Sequence, residues 1–264
     1  MSSTPLVAFV IPTIGRKSLA TALASLVDQT DPDWMALVVF DGVYPDKSVR
    51  VDDPRVVYVR TRKKGTFGQN HGNAGRVRNV ALENHKLQGV WIGFLDDDDI
   101  LLPEYVSNLR REASEHDPDV IITRMHIGDR IIPAPGMKDF QKNDVGISFA
   151  AKSHVFKRTG YRFIQADSED FQILDSFRSN GLEILISNYV GYQVSPSQPD
   201  VKEPFSLGVC KPSTITFPVL ILCLCSFLTA LLIYLLASRL QRKSIITHPS
   251  STTKNHQLDL SDHR

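Results

Sequence analysis

The apolar positions of the chain fall into short unbroken runs, Leu6 to Ile11, Trp34 to Phe40, Val56 to Val59, Val90 to Leu95 and Val120 to Thr123. Runs of this length bounded by turn formers predict strands buried on both faces. Between them, Lys17 to Gln29, Gly75 to Asn84 and Pro103 to Glu115 carry helical spacing. The alternation predicts an α/β fold, a Rossmann-like, mostly parallel sheet flanked by helices. In such sheets ligands bind beyond the carboxyl ends of the strands, so the residues just past each run are where chemistry is expected. No internal repeat is visible.

The pattern changes after Lys211. Pro212 to Ser238 contains no charged residue, and Phe217 to Ala237 is almost wholly apolar. About 20 apolar residues cross a bilayer core as a helix, whereas a buried globular helix of that length carries a polar face. The expected organisation is a domain over 1–211, a transmembrane helix over 212–238 and a short polar, disordered tail over 239–264. The lipid bilayer is thus one expected partner.

Composition narrows the classes. An apolar share of 42% suffices for a core, and 30 Lys plus Arg against 29 Asp plus Glu leave a net charge of +1, with no global basic field for nucleic acid. Cys210, Cys223 and Cys225 all lie late in the chain, which excludes a disulfide framework or thiolate zinc site in the main domain. Leu6 to Ile11 has no basic flank or cleavage site and reads as a first strand rather than a signal peptide, and no Asn-x-Ser/Thr acceptor occurs. A domain made without a signal is expected to fold in the cytosol before the late span emerges. The basic residues Arg239, Arg242 and Lys243 beyond the span pull the other way, against Lys202 and Lys211 before it. The first argument is the stronger, because long folded domains do not cross without a signal. The catalytic domain is therefore expected on the cytosolic side.

The sharpest local feature is Asp96-Asp97-Asp98-Asp99, four carboxylates between the apolar run ending at Leu95 and the helical pattern starting at Pro103. Two like charges about 4 Å apart cost about 4 kcal/mol at an effective dielectric near 20, so such a run at the lip of a core needs a cation or strong solvation. Oxygen-only ligands suit Mg²⁺ or Mn²⁺, which keep coordination positions open for nucleotide phosphates.

Around this cluster the sequence resembles glycosyltransferase family 2, whose members pair a Leu-Asp-x-Asp-Asp-x-x-x-Pro segment with further motifs. Val10-Ile11-Pro12-Thr13 is similar to the family's first strand and nucleotide-contacting loop, and Val38-Val39-Phe40-Asp41-Gly42 to its second, where an aspartate reads the base. Gly72-Asn73-Ala74-Gly75-Arg76-Val77-Arg78-Asn79-Val80-Ala81-Leu82 resembles the Gly-x-x-x-Ala-Arg-Asn-x-x-Leu helix, with Val77 in place of alanine. Gly146 to Ala150 and Phe156 to Gly160 look like the acceptor-side segment, and Ser168-Glu169-Asp170-Phe171 like the pair that carries the catalytic base. The usual Asp-Gly-Ser-x-Asp is replaced by Asp41-Gly42-Val43-Tyr44-Pro45-Asp46, so contacts beyond Asp41 are not carried over.

The resemblance, covering about residues 5 to 190, implies an A-type fold and an inverting transfer from a nucleotide-sugar, with UDP the expected nucleotide, to an acceptor hydroxyl. It implies that Thr13, Asp41, Arg78, Asp96 and Asp97 serve the nucleotide, Arg78 facing it. It implies that Asp98, supported by Asp96, holds Mn²⁺ or Mg²⁺, and that Asp170, with Glu169 the alternative, is the general base. On physical grounds a bound metal offsets the charge gathered by the leaving diphosphate, and a carboxylate on the opposite face of the sugar takes the acceptor's proton. Of Arg76 and Arg78, two apart on a helix, one is expected to face solvent. For Asn79, capping or local hydrogen bonding stands as the alternative to ligand contact. Lys63, Lys64 and the loop Gly65 to Gly72 are weaker phosphate candidates, and His71 is left out of the metal shell. Two rival readings remain: a nucleotidyltransferase, which should show a Gly-rich, Lys-containing signature that Pro12 to Arg16 lacks, and an inactive membrane-tethered binding protein.

Overall fold

A computed structural model describes residues 4–43, 46–61, 73–164 and 168–196. The expected membrane span and tail, and Lys63, Lys64, Gly65 to Gly72 and His71, lie outside the described residues. No helix among the described residues is long and apolar enough to cross a membrane.

The strands β1 (Val7–Thr13), β2 (Trp34–Phe40), β3 (Val56–Arg60) and β4 (Trp91–Phe94) follow the apolar runs closely. They lie side by side and parallel in the order β3-β2-β1-β4. Every residue of β1 is buried, as befits a strand covered on both faces. Helices α1 (Leu19–Val27) and α2 (Asn73–Leu82) make the crossovers. From β1 the chain moves outward to β2 and β3, then returns past β1 to form β4. With right-handed crossovers the two helices fall on opposite faces, and the strand order reverses between β1 and β4.

The second half departs from the expected parallel pattern. After β5 (Ile100–Leu101) and α3 (Tyr105–His116) come β6 (Val120–Ile127), β7 (Arg130–Ile132), β8 (Phe149–Lys152), α4 (Ser153–Thr159), α5 (Glu169–Ser179) and β9 (Ile184–Val194). Here β8 runs antiparallel to both β4 and β6, β7 antiparallel to β6 and β5 antiparallel to β9, while β6 and β9 are parallel. The sheet is therefore mixed, and "mostly parallel" holds only for its first four strands. The physical reason is connection length: β8 enters between β4 and β6 from a long excursion instead of a βαβ crossover.

Two aromatic layers hold the sheet. On one face Phe9 packs against Tyr105 of α3, ring centroids 5.6 Å apart. Gly93 makes room for it, since a Cβ there would meet the Phe9 ring at 2.9 Å. On the other face Phe94 stacks with Phe149, Phe156 and Phe163, and Phe149 and Phe156 reach Phe177 of α5. That second layer seats α5, and with it Glu169 and Asp170, beside the carboxyl end of β4.

Candidate active site

At the carboxyl end of β4 the chain turns sharply, with the Asp99 amide donating to the Asp96 carbonyl at 3.2 Å. Beyond the turn the backbone is pinned. Leu101 N donates to Ser25 Oγ, Val106 N to Gln29 Oε1 and Leu102 N to the Gly191 carbonyl. A tight turn sends consecutive side chains in different directions, and the four aspartates diverge.

Asp97 points into the protein and is 1% exposed. It accepts from Thr13 Oγ1 at 2.6 Å and from Arg16 Nη1 at 3.1 Å. Burial pushes its carboxyl up to about 6, against the hydrogen bond from Thr13 and the charge of Arg16. Asp99 is also buried. It accepts from the Tyr192 hydroxyl at 2.9 Å and the Ser195 amide at 3.0 Å, and burial, aided by the charge of Asp96, pushes it up to about 7. Tyr192 serves both sides of the turn, because its oxygen also accepts from Asp96 N at 3.1 Å.

The other two remain open. Asp98 has a side chain 48% exposed, and its Oδ2 accepts from Arg16 Nη1 at 3.0 Å. Asp96, 32% exposed, receives Arg78 Nη2 on Oδ1 at 2.5 Å, and no hydrogen bond to its Oδ2 is found among the described residues. The cluster's charge is thus offset by two arginines, neither of which was expected in that role.

Arg78 is the hub between the turn and α5. Its side chain is 2% exposed and it donates to Asp96 and Glu169, with Asp170 Oδ1 a further 3.8 Å from Nη1. Burial opposes its charge, but Asp96, Asp170 and Glu169 outweigh that and raise its pKa, so it is always cationic. Arg78, expected to face the nucleotide, is enclosed here by three carboxylates. Thr13 and Asp97, the next two residues expected to serve the nucleotide, turn to each other. The solvent-facing arginine of the pair is Arg76, whose Nη2 lies 3.3 Å from Asp41 Oδ1. Asn79 makes a two-way clamp with Phe163, donating to its carbonyl at 2.8 Å and accepting from its amide at 2.9 Å.

Glu169 and Asp170 open α5. Glu169 accepts from Gly75 N at 3.1 Å as well as from Arg78, and burial raises its pKa against the charge of Arg78. A Cβ on Gly75 would meet Phe163 Cβ at 2.8 Å and collide with the Glu169 carboxylate, so α2 approaches α5 this closely only through a glycine. With both Glu169 oxygens occupied, the freer carboxylate is Asp170. Its Oδ1 is buried without a hydrogen bond, and burial, opposed by Arg78 and reinforced by Asp96 and Glu169, pushes it up to about 7. Asp41, just past β2, also has one buried oxygen, Oδ2, without a hydrogen bond, while Oδ1 accepts from Thr61 Oγ1 at 3.2 Å.

Thr13, Asp41 and the acidic turn therefore gather at the carboxyl ends of β1, β2 and β4, at the point where strand order reverses, and α5 closes one side. The profile described as Glycosyl transferase family 2 matches residues 8–174, which spans all of them. The chain belongs to glycosyl transferase family 2. Among relatives of this family 2 chain, succinoglycan biosynthesis protein ExoW of Rhizobium meliloti (strain 1021) is 29% identical over 128 residues, covering 48% of this chain and 39% of that protein. The uncharacterized glycosyltransferase MG060 homolog of Mycoplasma pneumoniae (strain ATCC 29342 / M129 / Subtype 1) is 30% identical over 111 residues, covering 39% of this chain and 35% of that one. This chain thus spans well under half the length of these curated relatives. Among solved structures, S. aureus TarS 1-349 superposes with a TM-score of 0.59 at 18% identity over 72% of this chain and 60% of that chain. The same protein in complex with UDP-GlcNAc gives 0.59 at 18% identity over 73% and 59%. At that identity the likeness concerns the fold, which resembles the A-type expected from the sequence.

Tyr192 and Arg16 were not singled out from the sequence. Arg16 carried a signal: it is a cation in the loop directly after the first strand, the same end of the sheet as the acids.

Proposed function

We propose that this chain is an inverting glycosyltransferase that moves a sugar from a nucleotide-sugar, UDP-linked, to an acceptor hydroxyl with the help of Mn²⁺ or Mg²⁺. One observation carries the reading: two aspartates with accessible carboxylate oxygens, Asp96 and Asp98, lie on the turn at the strand-order reversal, and Arg78 links the first of them to Asp170. The UDP-GlcNAc held by the similarly folded TarS supports the choice of donor.

Asp98 and the free Oδ2 of Asp96 are hard oxygen donors that suit either ion. Among the described residues no group of three or more His, Cys, Asp or Glu could hold a metal by itself, so the donor's phosphates are expected to complete the shell. The ion would supply positive charge to the departing nucleoside diphosphate. In one displacement the acceptor oxygen bonds to the anomeric carbon, the bond from that carbon to the diphosphate oxygen breaks with its electron pair, and the hydroxyl proton passes to Asp170. A carboxyl pushed up to about 7 is a stronger base than an ordinary aspartate and takes the acceptor's proton more readily once ionised. Arg78 and Glu169 fix its surroundings, and Asp41, with one uncommitted buried oxygen, is the candidate for the nucleotide base. We place the apolar segment 217–237 in a bilayer with this domain on the cytosolic side.

Incubating the full-length chain with a panel of UDP-sugars and Mn²⁺, and following UDP release with and without candidate acceptors, tests the reading. Release that depends on Mn²⁺ and on an intact Asp170 is expected; no release from any donor contradicts it. For the orientation, protease added to sealed vesicles should digest the domain, and a protected domain reverses it.

A further inference from the structure

Arg16 occupies an unusual position between two carboxylates of unequal standing. Gly15, with φ of +86° and its amide on Thr13 Oγ1 at 2.9 Å, turns the chain at the end of β1 so that Arg16 reaches over the acidic turn. A single nitrogen, Nη1, donates to Asp97 Oδ1 at 3.1 Å and to Asp98 Oδ2 at 3.0 Å. Asp97 is buried and held again by Thr13, so this contact is a fixed anchor. Asp98 is half-exposed, and an ion pair of that kind is weak and exchangeable.

We propose that Arg16 is a placeholder cation: it holds Asp98 while no divalent ion is bound, yields that carboxylate to the ion, and, still anchored on Asp97, turns its charge to the donor's diphosphate. The inference rests on the metal-dependent reading above and adds to it a residue with two successive partners. The argument is electrostatic. A guanidinium and a divalent cation cannot share one carboxylate without repelling each other, so Arg16 competes with the metal until phosphates arrive to neutralise both. A planar guanidinium with several donors suits a diphosphate once it is released. The same competition keeps the turn from being a strong metal site when no donor is present, which makes ion and nucleotide bind together.

The test uses the full-length chain, with Mn²⁺ binding followed by electron paramagnetic resonance and UDP binding by calorimetry. Without nucleotide, Arg16→Gln should tighten Mn²⁺ about three- to tenfold, the scale of removing one half-exposed competing pair. In saturating Mn²⁺ the same variant should weaken UDP by a comparable factor, and Arg16→Lys, which keeps the charge, should fall between. A merely structural role would weaken both, so opposite signs distinguish the two. Unchanged or weaker Mn²⁺ binding in Arg16→Gln, with normal Mn²⁺ and UDP binding by the parent chain, overturns the placeholder alone. A parent chain that takes up no Mn²⁺ even with UDP overturns the metal reading and this inference with it.

Discussion

Four identical side chains follow one another after β4, yet Asp97 and Asp99 live in one environment and Asp96 and Asp98 in another. The first pair is buried and satisfied from within, by Thr13, Tyr192 and the Ser195 amide, with Arg16 shared. The second pair is reached by solvent, and each of its members pairs with an arginine. The difference teaches that an acidic run is not one site. Half of it builds the turn and seats it on β1 and β9; the other half is left with oxygens to offer a ligand. Like-charge repulsion, which alone would call for a metal, is already partly met by Arg16 and Arg78.

Outside the acidic turn, the largest expected effect lies across the site from both pairs. Asp170→Asn should lower turnover by at least about a hundredfold, the scale of losing a general base, with nucleotide affinity little changed. Retained turnover at saturation with lost affinity would instead make Asp170 a ligand contact.

The inward pair should show itself in the pH dependence of stability, measured in EDTA. Unfolded, Asp97 releases its proton near 3.8, the ordinary aspartate value; folded, it keeps it to about 6. Between those values the native state binds more protons, so its stability is fullest in acid and falls as pH rises through about 6, by about 3 kcal/mol from this group. Asp99, raised to about 7, adds in the same direction over a wider window. Asp97→Asn should flatten the curve between pH 4 and 7; an unchanged slope would mean that the charge of Asp97 is not buried in the native state.

A smaller effect attaches to Tyr192→Phe, which leaves Asp99 Oδ2 and the Asp96 amide each short of a partner. A loss of about 1 kcal/mol in urea unfolding is expected. Arg76→Ala removes the half-exposed partner of a buried carboxylate, Asp41, which keeps Thr61 on the same oxygen, and a loss of about 1 kcal/mol is expected. A large loss there would mean that Asp41 depends on Arg76 as Asp97 depends on Thr13.

How much of this was legible in the sequence follows from how local each feature is. Trp34 to Phe40 is an apolar run between turns, and the strand has those bounds. By contrast β5 has two residues, β8 is the four-residue Phe-Ala-Ala-Lys, and β9 mixes Ser187, Asn188 and Gly191 into a register that shifts opposite Ile122 and Arg124, so none presents a clean period. The antiparallel half was missed for that reason. In the site, the acids and the start of α5 were readable as motifs. Their partners were not, because Arg16 lies 82 residues from Asp98 and Tyr192 lies 93 from Asp99. Pairings of that span depend on the sheet order.

The most direct measurement sets Asp98→Ala beside Asp99→Ala, each assayed for Mn²⁺-dependent UDP release and for unfolding free energy. Asp98→Ala should abolish release while shifting stability by no more than about 0.5 kcal/mol, as an exposed substitution does. Asp99→Ala should remove about 1–3 kcal/mol by leaving Tyr192 and the Ser195 amide unsatisfied, and keep Mn²⁺-dependent release where it is folded. If Asp98→Ala is active, or if the two variants lose activity and stability alike, the division of the acidic turn into a structural pair and a ligand pair is wrong.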